Sequence, residues 1–230
     1  MEKFSLFDFL SWYIVFIYSM VLHEASHAYA SWKLGDSTAY DQGQVSIDPT
    51  PHVKREPFGM ILVPLVSYIS AGWMLGWASA PYDPIWAARY PKRSAIMAAA
   101  GPAANLAICI AAFILLKIGL SLGYFVHSTS TYWLMAHVVD GRADDWTAAV
   151  SQVLSIAFTL NFILCLFNLL PFPPLDGSAI VKLFLPKSAC QSYDNFLHTS
   201  GLPVVGLLIA WYFFPSFGYP ALHWAMSLVG

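Results

Sequence analysis

The chain has 230 residues, 58% of them hydrophobic and only 10% charged, with a formal net charge of −2. A soluble domain carries about a quarter charged residues, so this composition excludes a surface that faces water all round. The near-neutral charge gives no basis for a nucleic-acid partner, and 16% aromatic residues suit rings at membrane interfaces. Cys109, Cys165 and Cys190 are scattered and lack any Cys-x-x-Cys. They read as small apolar filler rather than a disulfide framework or a thiolate metal site.

The first apolar segment, Leu6 to Leu34, is long enough to span a bilayer with residues left over. It runs on without a small-residue cleavage site, unlike a cleavable signal peptide. Near its end stand His23-Glu24-Ala25-Ser26-His27. Two histidines four residues apart share one helix face, at the spacing where two imidazoles reach one zinc ion. Glu24 falls beside them as a candidate general base. Such groups are costly inside a lipid-length helix unless they act together. Gly35-Asp36 then breaks the helix.

Ser37 to Pro57 is polar and rich in turn residues, and alternation in Gln44-Val45-Ser46-Ile47 predicts a short strand. His52 lies beside Lys54 and Arg55, which predicts a surface position. The second apolar segment, Phe58 to Ala80, is interrupted by Pro64, Gly72 and Gly76, and Pro81 and Pro84 keep the chain extended after it. Arg89, Lys92 and Arg93 form the densest basic cluster.

A third segment, Ser94 to about Leu120, contains Gly101-Pro102-Ala103-Ala104-Asn105, small residues suited to close helix packing. Residues 121–146 read as an external loop or short surface helix, with Asp140, Arg142, Asp144 and Asp145 near its end. A fourth membrane helix runs from Trp146 to Leu170 and leads into Pro171-Phe172-Pro173-Pro174-Leu175-Asp176-Gly177, where the prolines prevent a regular helix. A short amphipathic piece follows at Ser178–Leu185. The last segment begins near Gly201 and is interrupted at Pro215 and Gly218, so residues 219–230 either cross again or lie in the interface. Asn105 and Asn161 read as interhelical hydrogen-bond partners. His127, His137, His198 and His223 read as ordinary interface histidines.

A zinc site needs a third ligand, and Asp176 is the candidate, because two histidines and a carboxylate form a usual catalytic set. Taken alone, Asp176-Gly177 also reads as a plain turn. If the second segment crossed the membrane, His27 and Asp176 would face opposite sides of a core about 30 Å thick. If it dips in and returns, they meet. The basic residues agree with the second case. Lys33, Lys54, Arg55, Arg89, Lys92, Arg93, Lys182 and Lys187 then share one side, against Lys3, Lys117 and Arg142. That bias marks the cytoplasmic face.

With these motifs in view, the chain resembles the site-2 protease family of intramembrane zinc metalloproteases. The resemblance rests on His23-Glu24-Ala25-Ser26-His27, on Gly101-Pro102-Ala103-Ala104-Asn105, and on Asn168-Leu169-Leu170-Pro171-Phe172-Pro173-Pro174-Leu175-Asp176-Gly177. It covers about residues 6–186 and is similar to the short members without PDZ or CBS domains. The resemblance implies one zinc ion on His23, His27 and Asp176, with Glu24 activating water and Asn168 contacting the substrate carbonyl or oxyanion.

The expected fold is an all-α polytopic membrane protein with about four to six membrane helices, a re-entrant segment and a small membrane-associated β element. The whole chain, residues 1–230, is expected to be one integral-membrane domain in the cell membrane, with its site toward the cytoplasm. Its expected partners are a transmembrane protein substrate and the bilayer. Two rivals stand beside this reading. A catalytically inactive pseudoprotease has no need of Glu24, and a transporter lacks here the duplicated half it requires.

Overall fold

The computed structural model describes residues 5–128, 135–143, 146–197 and 199–230. Lys3, Asp144, Asp145 and His198 lie outside the described residues. Among those described, four helices are long and apolar enough to cross a membrane: α1 (Leu6–Leu34), α6 (Pro91–Ser121), α7 (Trp146–Asn168) and α10 (Leu202–Ser227).

Helix α1 starts where Ser5 Oγ accepts from the Asp8 N–H, and stops where Gly35 adopts φ 105°. At about 1.5 Å per residue its 29 residues exceed the thickness of a bilayer core. Four short helices lie between it and α6: α2 (Thr38–Asp41), α3 (Pro49–Arg55), α4 (Val63–Ala71) after a π-helical turn at Phe58–Leu62, and α5 (Pro84–Arg89). Val63 N–H reaches back five residues to Phe58 O, next to Pro64, which has no N–H to give. The 14 residues from Phe58 to Ala71 rise about 21 Å, too little to cross. The chain turns at Gly72 (φ 75°) and comes back extended, held by Leu75 N–H on Ser67 Oγ at 2.9 Å and Trp77 N–H on Gly59 O at 3.2 Å. The second apolar segment is therefore re-entrant.

The bonds that close this return fix the topology. Asp36, just past α1, accepts at 3.0 Å from the N–H of Asp83, which caps α5 (Pro84–Arg89). Arg93 donates to Leu34 O at 3.1 Å, and Lys92 donates to Leu183 O and Leu185 O at 2.7 and 2.6 Å. The end of α1, the start of α6 and the chain beyond α7 thus share one end of the bundle. At the opposite end Gln152 Nε2 donates to Asp8 Oδ1 at 2.9 Å, and Lys117 donates to Val229 O at 3.2 Å. Helices α1 and α7 run parallel, with α6 antiparallel between them.

Four features differ from expectation. Residues 44–47 form no strand: Gln44 Nε2 donates to Pro51 O at 3.1 Å and Ser46 O bonds His52 Nε2 at 3.0 Å, folding the segment onto α3. The small sheet pairs β1 (Phe125–His127) with β2 (Val139–Gly141), antiparallel, inside the region read as a loop or helix. His52 is buried at 1% exposure rather than at the surface, because it points about 200° around α3 from Lys54. The last segment is one helix, α10, that continues through Pro215 and Pro220. Each proline costs one backbone hydrogen bond, a loss that membrane helices tolerate. The C-terminal region therefore holds a single helix long and apolar enough to cross, ending beside Lys117.

Candidate metal centre

His23 and His27 lie on the buried face of α1, 5% and 7% exposed, with their rings edge-on and centroids 4.6 Å apart. Asp176 arrives from the start of α8 (Asp176–Ile180), beyond the break that ends α7. Its Oδ2 lies 3.2 Å from His23 Nε2 and its Oδ1 3.3 Å from His27 Nε2; the two Nε2 atoms are 3.0 Å apart. One ligand atom from each residue falls within 4.8 Å of the others. The three cysteines are buried and take no part.

The local sequence explains how these side chains are held. Helix α6 passes so close to α1 that a Cβ on Gly101 would overlap both Nε2 atoms. Gly177 lies against the carbonyls of Leu169 and Leu170, where a side chain has no room, and this sets Asp176 at its angle. Beyond it, Lys182 pairs with Asp194 at 3.0 Å, and Tyr193 donates to Ser178 O at 2.9 Å, so α9 (Lys187–Leu197) clasps the segment carrying Asp176.

The outer ring nitrogens are also engaged. His27 Nδ1 faces Met97 O at 2.8 Å, and a carbonyl only accepts, so Nδ1 carries the proton and Nε2 keeps a lone pair. His23 Nδ1 faces Asn105 Oδ1 at 2.5 Å. Two bare imidazole nitrogens, one carboxylate and no thiolate make a donor set that fits a catalytic zinc ion.

A cavity of about 230 Å³ opens onto this cluster. Glu24, 4% exposed, lines it together with Asn168, Ser79 and Tyr82. Asn168 Nδ2 donates one hydrogen to Leu164 O at 3.0 Å. The returning strap from the re-entrant segment supplies the opposite wall, Ala78 to Tyr82. Ser79 Oγ donates to Glu56 at 2.5 Å, latching the strap to α3. Burial, and then the charge of Asp194, push the Tyr82 hydroxyl above its ordinary pKa, so it is a neutral donor at the rim.

All five residues singled out from sequence, His23, Glu24, His27, Asn168 and Asp176, line this one cavity. Sequence reasoning missed the Met97 carbonyl, the Asn105 contact to His23 and the Lys182–Asp194 clasp. Of these only Asn105 carried a signal, as a polar residue inside an apolar helix.

Residues 11–210 match Peptidase family M50. "Putative zinc metalloprotease YwhC" of Bacillus subtilis (strain 168) is 32% identical over 174 residues, covering 75% of this chain and 68% of the relative. "Putative zinc metalloprotease Rip2" of Mycolicibacterium smegmatis is 26% identical over 212 residues, or 92% of this chain and 68% of the relative. Rip2 of Mycobacterium tuberculosis (strain H37Rv) is 27% identical over 164 residues, or 71% of this chain and 53% of the relative. No solved structure matches. With a family match across most of its length, this multi-pass membrane chain belongs to peptidase family M50, the site-2 protease family of zinc metalloendopeptidases.

Proposed function

We propose that this chain, acting as one integral-membrane domain, hydrolyses a peptide bond within or near the transmembrane helix of a membrane-protein substrate. One zinc ion is held by His23, His27 and Asp176. The observation that carries this reading is the meeting of those three side chains with Glu24 in one cavity inside a bundle of membrane-length helices.

Held by those three residues, the ion would supply Lewis acidity to polarise the scissile carbonyl and acidify a water molecule. Glu24 takes the proton of the attacking water and returns it to the leaving amine, so the base is regenerated. Asn168 uses its second amide hydrogen to steady the oxyanion. A helical substrate hides its carbonyls in its own hydrogen bonds and must be drawn out before attack. The extended strap at residues 78–82 offers a backbone edge along which an unwound segment can lie.

The site faces the cytoplasm of the cell membrane in this reading. Lys33, Lys54, Arg55, Arg89, Lys92, Arg93, Lys182 and Lys187 share its end of the bundle, against Lys117 and Arg142 at the other end.

The test is cleavage of a single-span substrate in proteoliposomes by wild type and by Glu24→Gln. The expected result is a roughly 10²–10⁴-fold loss in Glu24→Gln with zinc retained. Undiminished cleavage by zinc-loaded Glu24→Gln overturns the base assignment. A zinc-loaded wild type that cleaves none of a panel of single-span substrates favours the pseudoprotease.

A further inference from the structure

A chain of buried amides runs sideways from the metal-facing histidines into the bundle. His23 Nδ1 meets Asn105 Oδ1 at 2.5 Å, and Asn105 Nδ2 meets Asn161 Oδ1 at 2.8 Å. Asn161 Nδ2 in turn meets Ser19 Oγ and Ala157 O, each at 2.8 Å. Asn105 on α6 and Asn161 on α7 are both 0% exposed, so water cannot substitute for any of these partners.

The two ends of an asparagine amide have the same shape and opposite chemistry, so a neighbour must decide which end points where. Along this chain the deciding group is the Ala157 carbonyl, which accepts and never donates. Its partner must be an N–H of Asn161, which turns Asn161 Oδ1 toward Asn105. That oxygen only accepts, so Asn105 offers it Nδ2 and presents Oδ1 to His23. His23 Nδ1 must then carry the ring proton, and Nε2 keeps its lone pair toward His27 and Asp176.

We propose that the Ala157 carbonyl of α7, acting through Asn161 and Asn105, selects the tautomer and ring orientation of His23. Asn105 and Asn161 are thus positioning residues for the metal site, beyond joining α6 to α7. The proposal rests on the reading of His23 as a zinc ligand. His27 is set by a shorter route, the Met97 carbonyl of α6, which no side-chain substitution removes. Both rings are thus contacted from α6, and only the His23 contact is passed on to α7. Only the His23 arm is carried by side chains.

The experiment measures zinc affinity of the full chain in detergent by competition with a chromophoric chelator. Asn105→Leu removes the acceptor at nearly constant volume and is expected to weaken zinc binding roughly 10–100-fold. Asn105→Asp keeps an acceptor for the Nδ1 proton while removing the donor to Asn161, and is expected to bind zinc at least as tightly as wild type. A purely structural role would move both variants together, in affinity and in the unfolding midpoint of the metal-free chain.

Undiminished affinity in Asn105→Leu, or an equal fall in both variants, overturns the proposal and leaves the ligand reading standing. A wild type that takes up no zinc overturns the ligand reading and this proposal with it. The proposal is also testable without a variant, by nitrogen NMR of the metal-free chain labelled at histidine. The expected His23 signal is the Nδ1-protonated tautomer; the Nε2-protonated form would overturn the assignment.

Discussion

At the end of the bundle where α1 finishes, the helices are joined by specific polar contacts: Arg93 on Leu34 O, Lys92 on two carbonyls beyond α7, Asp36 on the Asp83 N–H, and Lys182 on Asp194. At the other end, Leu116, Phe125, Val139, Phe158, Ala225 and Val229 pack as an apolar cluster, with the small β1–β2 hairpin folded over it. The apolar cluster draws on many interchangeable contacts, whereas each polar contact has one partner and one geometry. The difference teaches where substitutions will be read as lost chemistry and where as lost stability. The end with the candidate site holds three side chains in register across a helix break, which packing alone does not do. The hairpin end has only to keep α6, α7 and α10 together.

That contrast can be broken in a graded way. The largest effect is expected from Gly101→Ala, whose added methyl would overlap both imidazoles. Zinc affinity should fall by at least the roughly 10–100-fold seen when ligand orientation is lost. Competition with a chelator measures this, and unchanged affinity would mean that α6 and α1 can part without disturbing the site.

At the opposite end, Leu116→Ala should cost roughly 2–5 kcal/mol of stability by leaving a void. Cleavage per folded molecule and zinc content should stay at wild-type values, as thermal unfolding beside a cleavage assay would show. A specific loss of activity in the folded fraction would show that the two ends are coupled.

The smallest perturbation is sided labelling. Lys187→Cys and Ser121→Cys replace exposed residues at the two ends and should leave activity unchanged. A membrane-impermeant maleimide applied to intact cells should label Ser121→Cys and spare Lys187→Cys. The reverse pattern would place the metal-facing end outside.

Much of the site-bearing end was legible in the amino-acid sequence because its signals are local. Helix α1 ends where Gly35-Asp36 breaks it. The return of the re-entrant segment was readable from Pro64, Gly72 and Gly76 together with the side preference of the basic residues. His23, Glu24 and His27 stand at fixed helical spacing, and Asp176 sits at a proline-rich break.

What was illegible depends on partners distant in sequence. Residues 125–127 and 139–141 pair across a long connection and carry no strong alternation. His52 looked exposed because its neighbours in sequence are charged, yet its own direction on α3 is inward. Pro215 and Gly218 looked like breaks, and only the packing of α10 along α7 shows the helix continuing. Asn105 and Asn161 were legible as helix–helix partners. Their link to His23 appears only when α1, α6 and α7 are brought together.

The most direct test of the central claim is X-ray absorption at the zinc edge on the purified chain, with His23→Ala and Asp176→Ala beside it. The expected result is one zinc per chain bound by two imidazole nitrogens and oxygen donors at about 2.0–2.2 Å, with no sulfur. Each variant should lose tight zinc. A sulfur shell near 2.3 Å, or wild-type zinc uptake in either variant, would contradict a centre built from His23, His27 and Asp176.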